Sequence, residues 1–524
     1  MDTADESSKG LAAEVERDGS KRPAKDADSG EGEERSKRSF FRGPVFMVLL
    51  VALVAGATFV VTMLLMSINN HQAEGSRAFY NVVQLDETTY DPAVWGQNYP
   101  IQYADYKKTA EFTPAEHAGT MVPQSVEGDP RTEVKSQKLE EDPRLKEMWA
   151  GYAFAVDYRH ARGHEYATID QQYTQRNAKD QQPGTCANCH VSAPALYDKL
   201  GNGDREAGFE ATGTMKLSQV LSDDSVSHPV ACIDCHDPKT MDLRVTRPSF
   251  MRGIKALKAS QGVSDFNVNK DATPQEMRTY VCAQCHVEYY FKGDNKVLTF
   301  PWDKGIDIDN IYSYYQEQGF TDWTHEKTGA PMLKAQHPEF DIWSNSVHAA
   351  NGVGCADCHM NYKRVGSGKV SNHHVTTPMV DVNASCGTCH KTGDGVLEKR
   401  VRTIQSNFIS SRDRAFDSLV GLITDLEAAK TNGTSQESIT LAQQYQRKAS
   451  FYLDYVYSEN SYGFHAPDYE ERIINQAENA AQNGRLALTG KTEEELKESD
   501  VSAANAKHYP SDKAATGTSQ GSGH

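Results

Sequence analysis

Hydrophobic and polar positions divide the chain into stretches of different kinds. Residues 1–43 are almost entirely polar and charged, and they predict a disordered tail because they hold too few apolar side chains for a core. Residues 45–66 then run for 22 positions without a charge. A helix of that length reaches about 33 Å, which is enough to cross the hydrocarbon core of a bilayer. The pattern therefore predicts a transmembrane anchor over residues 44–66.

A cleaved secretory signal is the alternative for this apolar stretch. Residues 55–57 (Ala-Gly-Ala) resemble a cleavage site, but the apolar run continues well beyond Ala57 and the polar tail before it is unusually long. Basic residues keep the N-terminal side of an anchor in the cytoplasm. Here they are Lys37, Arg38 and Arg42. We expect a single-pass protein of the cell membrane whose folded part lies on the extracytoplasmic side.

The last part of the chain has the pattern of long amphipathic helices, from about residue 396 to residue 489. Apolar residues recur there at intervals of three and four, which is typical of a helix with one buried face. In the first helix they are Leu397, Val401, Ile404, Phe408, Phe416, Leu419, Ile423 and Leu426. Asn432 and Gly433 are expected to end this helix.

Two more helices are expected after the first. A capping box at Thr434 and Glu437 begins a helix that runs to about Asn460. A third helix begins near Pro467 and ends at Gly490. Long helices with a broad apolar face pack either within one chain or between two subunits, and the pattern leaves both arrangements open.

The region between the apolar helix and the long helices is irregular. Residues 67–180 are mixed, and residues 181–395 are interrupted by glycine, proline and asparagine, which predicts short helices and long loops. We expect residues 67–500 to form one folded domain. Residues 501–524 are rich in small polar residues and predict a flexible tail.

The composition holds little apolar material for a core of this size. Of 524 residues, 38% are hydrophobic, and the mean hydropathy is −0.64. Either much of the chain is disordered, or a group other than side chains fills the interior. The formal net charge of −17 argues against a nucleic-acid-binding protein, which needs a basic surface.

All ten cysteines belong to five motifs of the form Cys-x-x-Cys-His. The motifs are Cys186/Cys189/His190, Cys232/Cys235/His236, Cys282/Cys285/His286, Cys355/Cys358/His359 and Cys386/Cys389/His390. Disulfides do not require the histidine, zinc ribbons use cysteine pairs in twos, and redox dithiols rarely occur five times in a chain. The spacing is instead that of c-type haem attachment.

Five covalent haem c groups also explain the composition, because each macrocycle is a large apolar body that replaces side-chain core. Two thiols three residues apart reach the two vinyl groups on one porphyrin edge, and the adjacent imidazole binds the iron. The chain has 18 histidines, so thirteen remain outside the motifs. Five of these are sixth ligands if every haem is an electron carrier, and four if one iron is open for catalysis.

Several segments outside the motifs resemble the pentahaem cytochrome c nitrite reductases. These segments are VCAQCHVEYYF, FPWDKG, DWT, PMLKAQHPEF, HAANGVGCADCHM and GFHAP, and the likeness covers roughly residues 75–490. The resemblance implies a mainly α multihaem cytochrome c, with short helices and long loops around five haems and long C-terminal helices forming a dimer seam. It implies six-electron reduction of nitrite to ammonium by a homodimer, with electrons from a quinol-linked or cytochrome donor.

The resemblance also implies the site residues. The first haem, on Cys186 and Cys189, is the open catalytic one, with Arg176, Tyr289 and a protonated His337 as the catalytic side chains. One calcium ion is bound by the Glu288 carboxylate, the Tyr289 and Lys334 carbonyls and the Gln336 side-chain oxygen. The third, fifth, second and fourth haems take His164, His348, His373 and His465 respectively as sixth ligands. His374 competes with His373 for the second haem.

Two features depart from many members of this family. Many of them carry Cys-x-x-Cys-Lys at the catalytic haem, whereas this chain has His190 there, and the axial ligand is a main control on haem potential. Many relatives are also soluble and use a separate membrane partner. The alternatives are a membrane-anchored multihaem electron-transfer protein, and a hydroxylamine or sulfite reductase on the same scaffold.

Overall fold

The computed structural model describes residues 43–75, 81–180, 182–222, 228–366, 368–393 and 395–498. The predicted disordered tail, apart from Gly43, and the flexible tail over residues 501–524 lie outside the described residues. The chain divides into two compact units, Met1–Tyr80 and Asn81–His524.

The first unit contains one described helix, α1, over Pro44–Gly75. It is longer than the predicted anchor, because the apolar helix continues into a polar turn. Its apolar part, Pro44–Asn69, has a mean hydropathy of 2.7 and none of it is buried. This helix is long and apolar enough to cross a membrane, and a signal sequence near the N-terminus meets the same criteria.

The second unit is mostly helical, and most of its helices before residue 396 have one to three turns. Helices α2 to α11 are Pro92–Asn98, Pro100–Tyr106, Lys138–Glu141, Arg144–Met148, Ala167–Gln172, Gln175–Asp180, Ala187–His190, Ala193–Leu200, Arg205–Thr212 and Leu217–Val220. Helices α12 to α20 are Cys232–Cys235, Pro248–Ser260, Val268–Asp271, Pro274–Ala283, Ile308–Glu317, Glu339–Trp343, Val347–Ala350, Cys355–His359 and Val382–Ser385. Short 3₁₀ turns lie at Lys107–Ala110, Ala153–Ala155, His164–Tyr166, Gly184–Cys186 and Pro378–Val380. The predicted short helices joined by loops are confirmed.

The strands in the described part of the chain are short and form four antiparallel pairs. The pairs are β1 Met121–Pro123 with β2 Glu133–Lys135, β3 Tyr290–Lys292 with β4 Val297–Thr299, β5 Trp323–Thr324 with β6 Pro331–Met332, and β7 Tyr362–Val365 with β8 Gly368–Ser371. Tyr290 pairs with Thr299, so the residue before it, Tyr289, is held at the start of a hairpin.

The long helices predicted from the apolar pattern are present. They are α21 Val396–Ala429, α22 Gln436–Ser458 and α23 Pro467–Leu488, and the short α24 Glu493–Glu498 follows. Most of the predicted apolar face of α21 is fully buried, including Phe416, Leu419 and Leu426, in a core that α22 and α23 share. Packing within the chain therefore accounts for this face, and the dimer seam stays a prediction.

The start of α22 differs from the prediction by one residue. Ser435, not Thr434, is the N-cap, and its hydroxyl accepts a hydrogen bond from the Ser438 amide at 3.1 Å. The Thr434 hydroxyl donates instead to the Asn432 side chain at 2.7 Å. Two neighbouring hydroxyl residues compete for a cap, and the turn at Asn432 decides between them.

Candidate active site

Each of the five Cys-x-x-Cys-His motifs lies in or beside a short helix. Helices α8, α12 and α19 cover most of the first, second and fourth motifs, the third begins in the last turn of α15, and the fifth follows α20. A helical turn places residues three apart on one side, so both thiols face the same way. The structure describes all ten cysteines, and none of them forms a disulfide.

Cys389 differs from the other nine motif cysteines in its exposure. The other nine cysteines are partly buried, whereas Cys389 is exposed. It follows the one-turn helix α20, and residues 388–393 around it are all exposed, so the chain leaves the core before this thiol is reached. The fifth motif therefore lies at the surface of the second unit, and the spacing of Cys389 from Cys386 still fits haem attachment.

Four of the five motif histidines face the ring of a second histidine. The ring centres are 6.4 Å apart for His286 and His164, 6.2 Å for His236 and His373, 6.2 Å for His359 and His465, and 6.3 Å for His390 and His348. The two members of a pair are 42 to 137 residues apart in the sequence, so folding creates each pair.

These spacings fit a metal ion between the two rings of each pair. A ligand nitrogen lies about 2 Å from its metal and about 1 Å from its own ring centre, so two imidazoles on opposite sides of one ion have centres about 6 Å apart. The four pairs agree with the ligand pairs that the resemblance implies. The residues present therefore fit haem iron with two axial histidines.

The first motif is different. His190 Nδ1 lies 2.9 Å from the Ala167 carbonyl, which orients the ring. Within the described part of the chain, no second histidine ring faces His190, in contrast to the other four motif histidines. Arg176, Tyr289 and His337 lie near this motif instead: Cys186 influences the pKa of Arg176 and of Tyr289, and His190 influences that of His337.

Arg176 is held at two points on the first turn of α7. Its Nη1 donates to the Asp157 carbonyl at 2.6 Å, and its guanidinium carbon lies 4.4 Å from the centre of the Phe154 ring. Its buried Nε has no hydrogen-bond partner among the described residues. Burial lowers its pKa, but a guanidinium keeps its charge at neutral pH. Arg176 is therefore a positive charge held in place, and its Nε–H is an unused hydrogen-bond donor.

His337 and Tyr289 are both partly buried neutral donors. Burial, and then the nearby His286 and His190, lower the pKa of His337 well below its ordinary value, so the resting imidazole is neutral. Burial raises the pKa of the Tyr289 phenol well above its ordinary value. A neutral imidazole and a neutral phenol each carry one proton to donate.

The two segments that carry the proposed calcium donors also come together. The buried Glu288 carboxylate accepts the Tyr315 hydroxyl at 2.8 Å and the Gln336 amide at 2.7 Å. Gln336 Nε2 lies 3.4 Å from the Lys334 carbonyl. The Lys334 side chain points elsewhere, because its Nζ donates to Asp454.

Burial raises the pKa of Glu288 well above its ordinary value. A cation at this carboxylate relieves that penalty, so one carboxylate with carbonyl and amide oxygens fits a hard ion such as Ca²⁺. Among the described residues, no cluster of three or more His, Cys, Asp or Glu side chains forms a metal site.

Comparison with known proteins identifies the family. The family model described as Cytochrome c552 matches residues 91–520. The chain belongs to the cytochrome c-552 family. Cytochrome c-552 of Bacteroides fragilis (strain YCH46) is 34% identical, covering 84% of this chain and 85% of the relative. Cytochrome c nitrite reductase subunit NrfA of Nitratidesulfovibrio vulgaris (strain Hildenborough) is 35% identical, covering 70% and 72%.

A solved relative shows the same fold. It is the catalytic subunit (NrfA) of cytochrome c nitrite reductase from Desulfovibrio desulfuricans ATCC 27774, for which two calcium sites are described. It is 29% identical, with a TM-score of 0.66, covering 78% of this chain and 88% of its own. The predicted mainly α multihaem fold and the resemblance to the nitrite reductases are confirmed. Membership of the cytochrome c-552 family makes the five motifs haem c attachment sites.

Lys138 is a site residue that sequence reasoning missed. It is fully buried, burial lowers its pKa to about 8, and its Nζ lies 4.8 Å and 5.3 Å from the ring centres of Tyr158 and Tyr457. It is close enough to His337 to lower that pKa as well. Nothing in the polar segment around it marks a buried lysine, because its neighbours in space come from distant segments.

The assignment of His373 as a haem ligand in this cytochrome c-552 family member can be tested against its neighbour His374. His373→Ala is expected to convert one haem of the oxidised protein from low spin to high spin, because it removes the ring that faces His236. His374→Ala, the matched control, is expected to leave all signals unchanged. Electron paramagnetic resonance of both variants checks this, and the reverse result would give the second haem to His374.

Lys138→Met is expected to make the protein more stable and its nitrite binding weaker, because it removes a buried positive charge near His337. The pKa of about 8, against an ordinary 10.5, corresponds to a cost of about 3 kcal/mol for holding the charge at neutral pH. The folded state binds fewer protons than the unfolded state between those values, so wild-type stability rises with pH across that window. The variant should lack this rise in thermal unfolding midpoints.

The control for Lys138 is the exposed Lys146 on α5. Lys146→Met is expected to shift neither the unfolding midpoint nor the KM for nitrite measurably, because an exposed ammonium is already solvated. A Lys138→Met variant that is less stable than wild type at neutral pH would contradict this prediction. It would show that interactions of the buried ammonium offset the cost of its burial.

Proposed function

We propose that this protein reduces nitrite to ammonium with six electrons at the haem attached to Cys186 and Cys189. One observation carries the proposal. Four motif histidines each face a second histidine, whereas His190 does not, and three polar side chains gather beside it. Four haems with two axial histidines suit electron transfer, and an iron with one free side suits catalysis.

The chain's own residues supply what an anionic substrate needs. The haem, when bound, supplies the iron that takes up nitrite and the electrons delivered to it. Arg176 places a permanent positive charge in a site of low dielectric, where each charge has a large effect. It holds one substrate oxygen while Phe154 and Asp157 prevent the guanidinium from turning away.

His337 and Tyr289 move or share protons in this proposal. Both are neutral in the resting site, so each donates a hydrogen bond to a substrate oxygen and polarises the N–O bond. An anion beside His337 raises its pKa again, which lets it take up a proton and pass it on. The sequence-based expectation of a protonated His337 is replaced by a histidine that is charged only with substrate present.

The proposed calcium ion has a positional role. Glu288, Lys334 and Gln336 belong to the two segments that also carry Tyr289 and His337, so one ion bound to their oxygens fixes both catalytic side chains. The calcium sites of the Desulfovibrio desulfuricans relative support this proposal. Removal of the ion by a chelator should therefore lower the turnover rate more than it changes the haem absorbance.

The remaining proposals concern the setting of the enzyme. We propose that α1 anchors the chain in the cell membrane by a single pass, with the pentahaem catalytic domain over residues 67–500 on the extracytoplasmic side. A quinol-linked or cytochrome donor supplies the electrons, and the long C-terminal helices join two chains in a homodimer. The length and apolar character of Pro44–Asn69 support the anchor.

Nitrite titration of the purified oxidised protein tests the function. An open iron gives a high-spin electron paramagnetic resonance signal that nitrite changes, and ammonium accumulates when a reduced dye supplies electrons. A protein with five six-coordinate haems and no response to nitrite is the electron-transfer alternative. Faster turnover on hydroxylamine or sulfite than on nitrite would reassign the substrate.

A further inference from the structure

Four of the nine motif and facing histidines have their second ring nitrogen at a neutral group. Nδ1 of His190, His236, His359 and His373 lies 2.9–3.0 Å from a backbone carbonyl in each case. The carbonyls belong to Ala167, Met241, Thr376 and Ser371 in that order. A backbone carbonyl orients a metal-bound ring and adds no net charge beside it.

His465 differs from these four histidines because its second ring nitrogen lies beside a carboxylate. Its Nδ1 lies 2.5 Å from Oε1 of Glu459, whose side chain is completely buried. The two atoms lie within ion-pair distance, and neither has a hydrogen-bond partner among the described residues. The nearest comparable contact, from His286 Nδ1 to Glu339, is 4.0 Å and too long for a hydrogen bond.

The local structure holds Glu459 in this position. Glu459 is the residue that ends α22, and its other oxygen, Oε2, accepts both the Ser461 amide at 2.9 Å and the Ser461 hydroxyl at 2.7 Å. The same hydroxyl oxygen accepts the His465 amide at 2.8 Å. The contacts of Ser461 with Glu459 and with His465 hold the carboxylate beside the imidazole. Oε1 has no hydrogen-bond partner among the described residues.

We propose that Glu459 is a positioning residue that sets the reduction potential of the fourth haem below that of a haem whose ligands contact only carbonyls. A carboxylate beside the outer nitrogen makes an imidazole a stronger donor to its metal. Its buried negative charge also favours the ferric state, which carries one more positive charge than the ferrous state. The inference rests on the proposed role of His465 as sixth ligand of that haem.

The test is a redox titration of the intact five-haem protein, followed by haem absorbance and electron paramagnetic resonance. Glu459→Gln keeps the size of the side chain and removes its charge. We expect one of the five midpoints to rise while four stay in place and all assigned pairs remain low spin. Glu459→Asp draws the carboxylate back by one methylene, so the same midpoint should rise by less.

Glu141→Gln is the matched control. Glu141 lies 2.7 Å from Nε2 of His160, so it forms the same kind of pair, but His160 faces no motif histidine. This variant should move none of the five midpoints. The proposal is overturned if Glu459→Gln and Glu459→Asp leave all midpoints in place, or if Glu141→Gln shifts them equally.

The titration needs no nitrite, so it separates this inference from the proposed function. A shifted midpoint in a protein that does not reduce nitrite would leave the role of Glu459 intact and remove the enzyme assignment. A protein that reduces nitrite but whose midpoints are unchanged by Glu459→Gln would keep the enzyme assignment and remove the role of Glu459.

Discussion

Replacing His337 with alanine is expected to lower nitrite turnover by about a hundredfold or more while all five haems stay attached. A positioned acid–base group contributes on the order of 10²–10⁴ to a rate. The nearby imidazoles of His286 and His190 cannot replace it, because both are haem ligands in this assignment. Arg176→Ala should have a similar effect, because it removes the fixed positive charge that holds the anion. Turnover with a reduced dye donor and the haem absorbance spectrum check both variants.

Two controls match these substitutions. His160→Ala removes a histidine paired with Glu141, and Arg485→Ala removes an exposed arginine paired with Asp425. No contact in the described part of the chain joins either side chain to Arg176, Tyr289 or His337, so both variants should keep wild-type turnover. Full activity in His337→Ala or Arg176→Ala would refute the corresponding assignment, and loss of a haem from either variant would make the activity measurement uninformative about chemistry.

The fold was predictable where one local pattern decides it. The apolar periodicity of α21 identified its buried face, since an intrahelical period of 3.6 residues needs no knowledge of the partner. The five motifs were equally local, because both thiols and the ligand lie within five residues. Their burial was not local, and the exposed Cys389 shows that the same spacing occurs at the surface. The helix start at Ser435 was missed by one residue, since two adjacent hydroxyls satisfy the same local rule.

The site was predictable only in part, because much of it is assembled from distant segments. Neither periodicity nor spacing pairs His465 with His359, which lies 106 residues earlier; the resemblance to a family implied that pairing. The buried Lys138 and the contact of Glu459 with His465 carry no sequence signal at all. Burial and charge neighbours are properties of the folded chain, and they decide which ordinary residues become functional.

A strongly negative protein must still attract an anion to its site. The net charge of −17 repels nitrite at long range, but salt screens that repulsion beyond about 10 Å. Close to the proposed site, Lys334 and Lys138 lower the pKa of His337, and Arg176 adds a third positive charge beside the first motif. Burial keeps these charges effective, and it also makes each of them costly unless something offsets it.

Lys334 shows how that cost is offset, and it gives the largest expected effect on stability. Its Nζ lies 2.8 Å from Asp454 Oδ1, and both side chains are almost completely buried. Asp454 Oδ2 also accepts the Ala335 amide at 3.0 Å. Asp454→Asn leaves the Lys334 ammonium buried without a counter-charge, which costs about 3–5 kcal/mol. Thermal unfolding of the five-haem protein measures this as a lower midpoint.

An exposed ion pair provides the comparison that isolates burial. Asp425 pairs with Arg485 at 2.6 Å, at a site where both side chains are about half exposed. Asp425→Asn should cost about 0–1 kcal/mol, because water already solvates the freed arginine. Equal losses in the two variants would mean that water reaches Lys334. Because the Lys334 segment leads directly to His337, Asp454→Asn should also slow nitrite reduction, whereas Asp425→Asn should not.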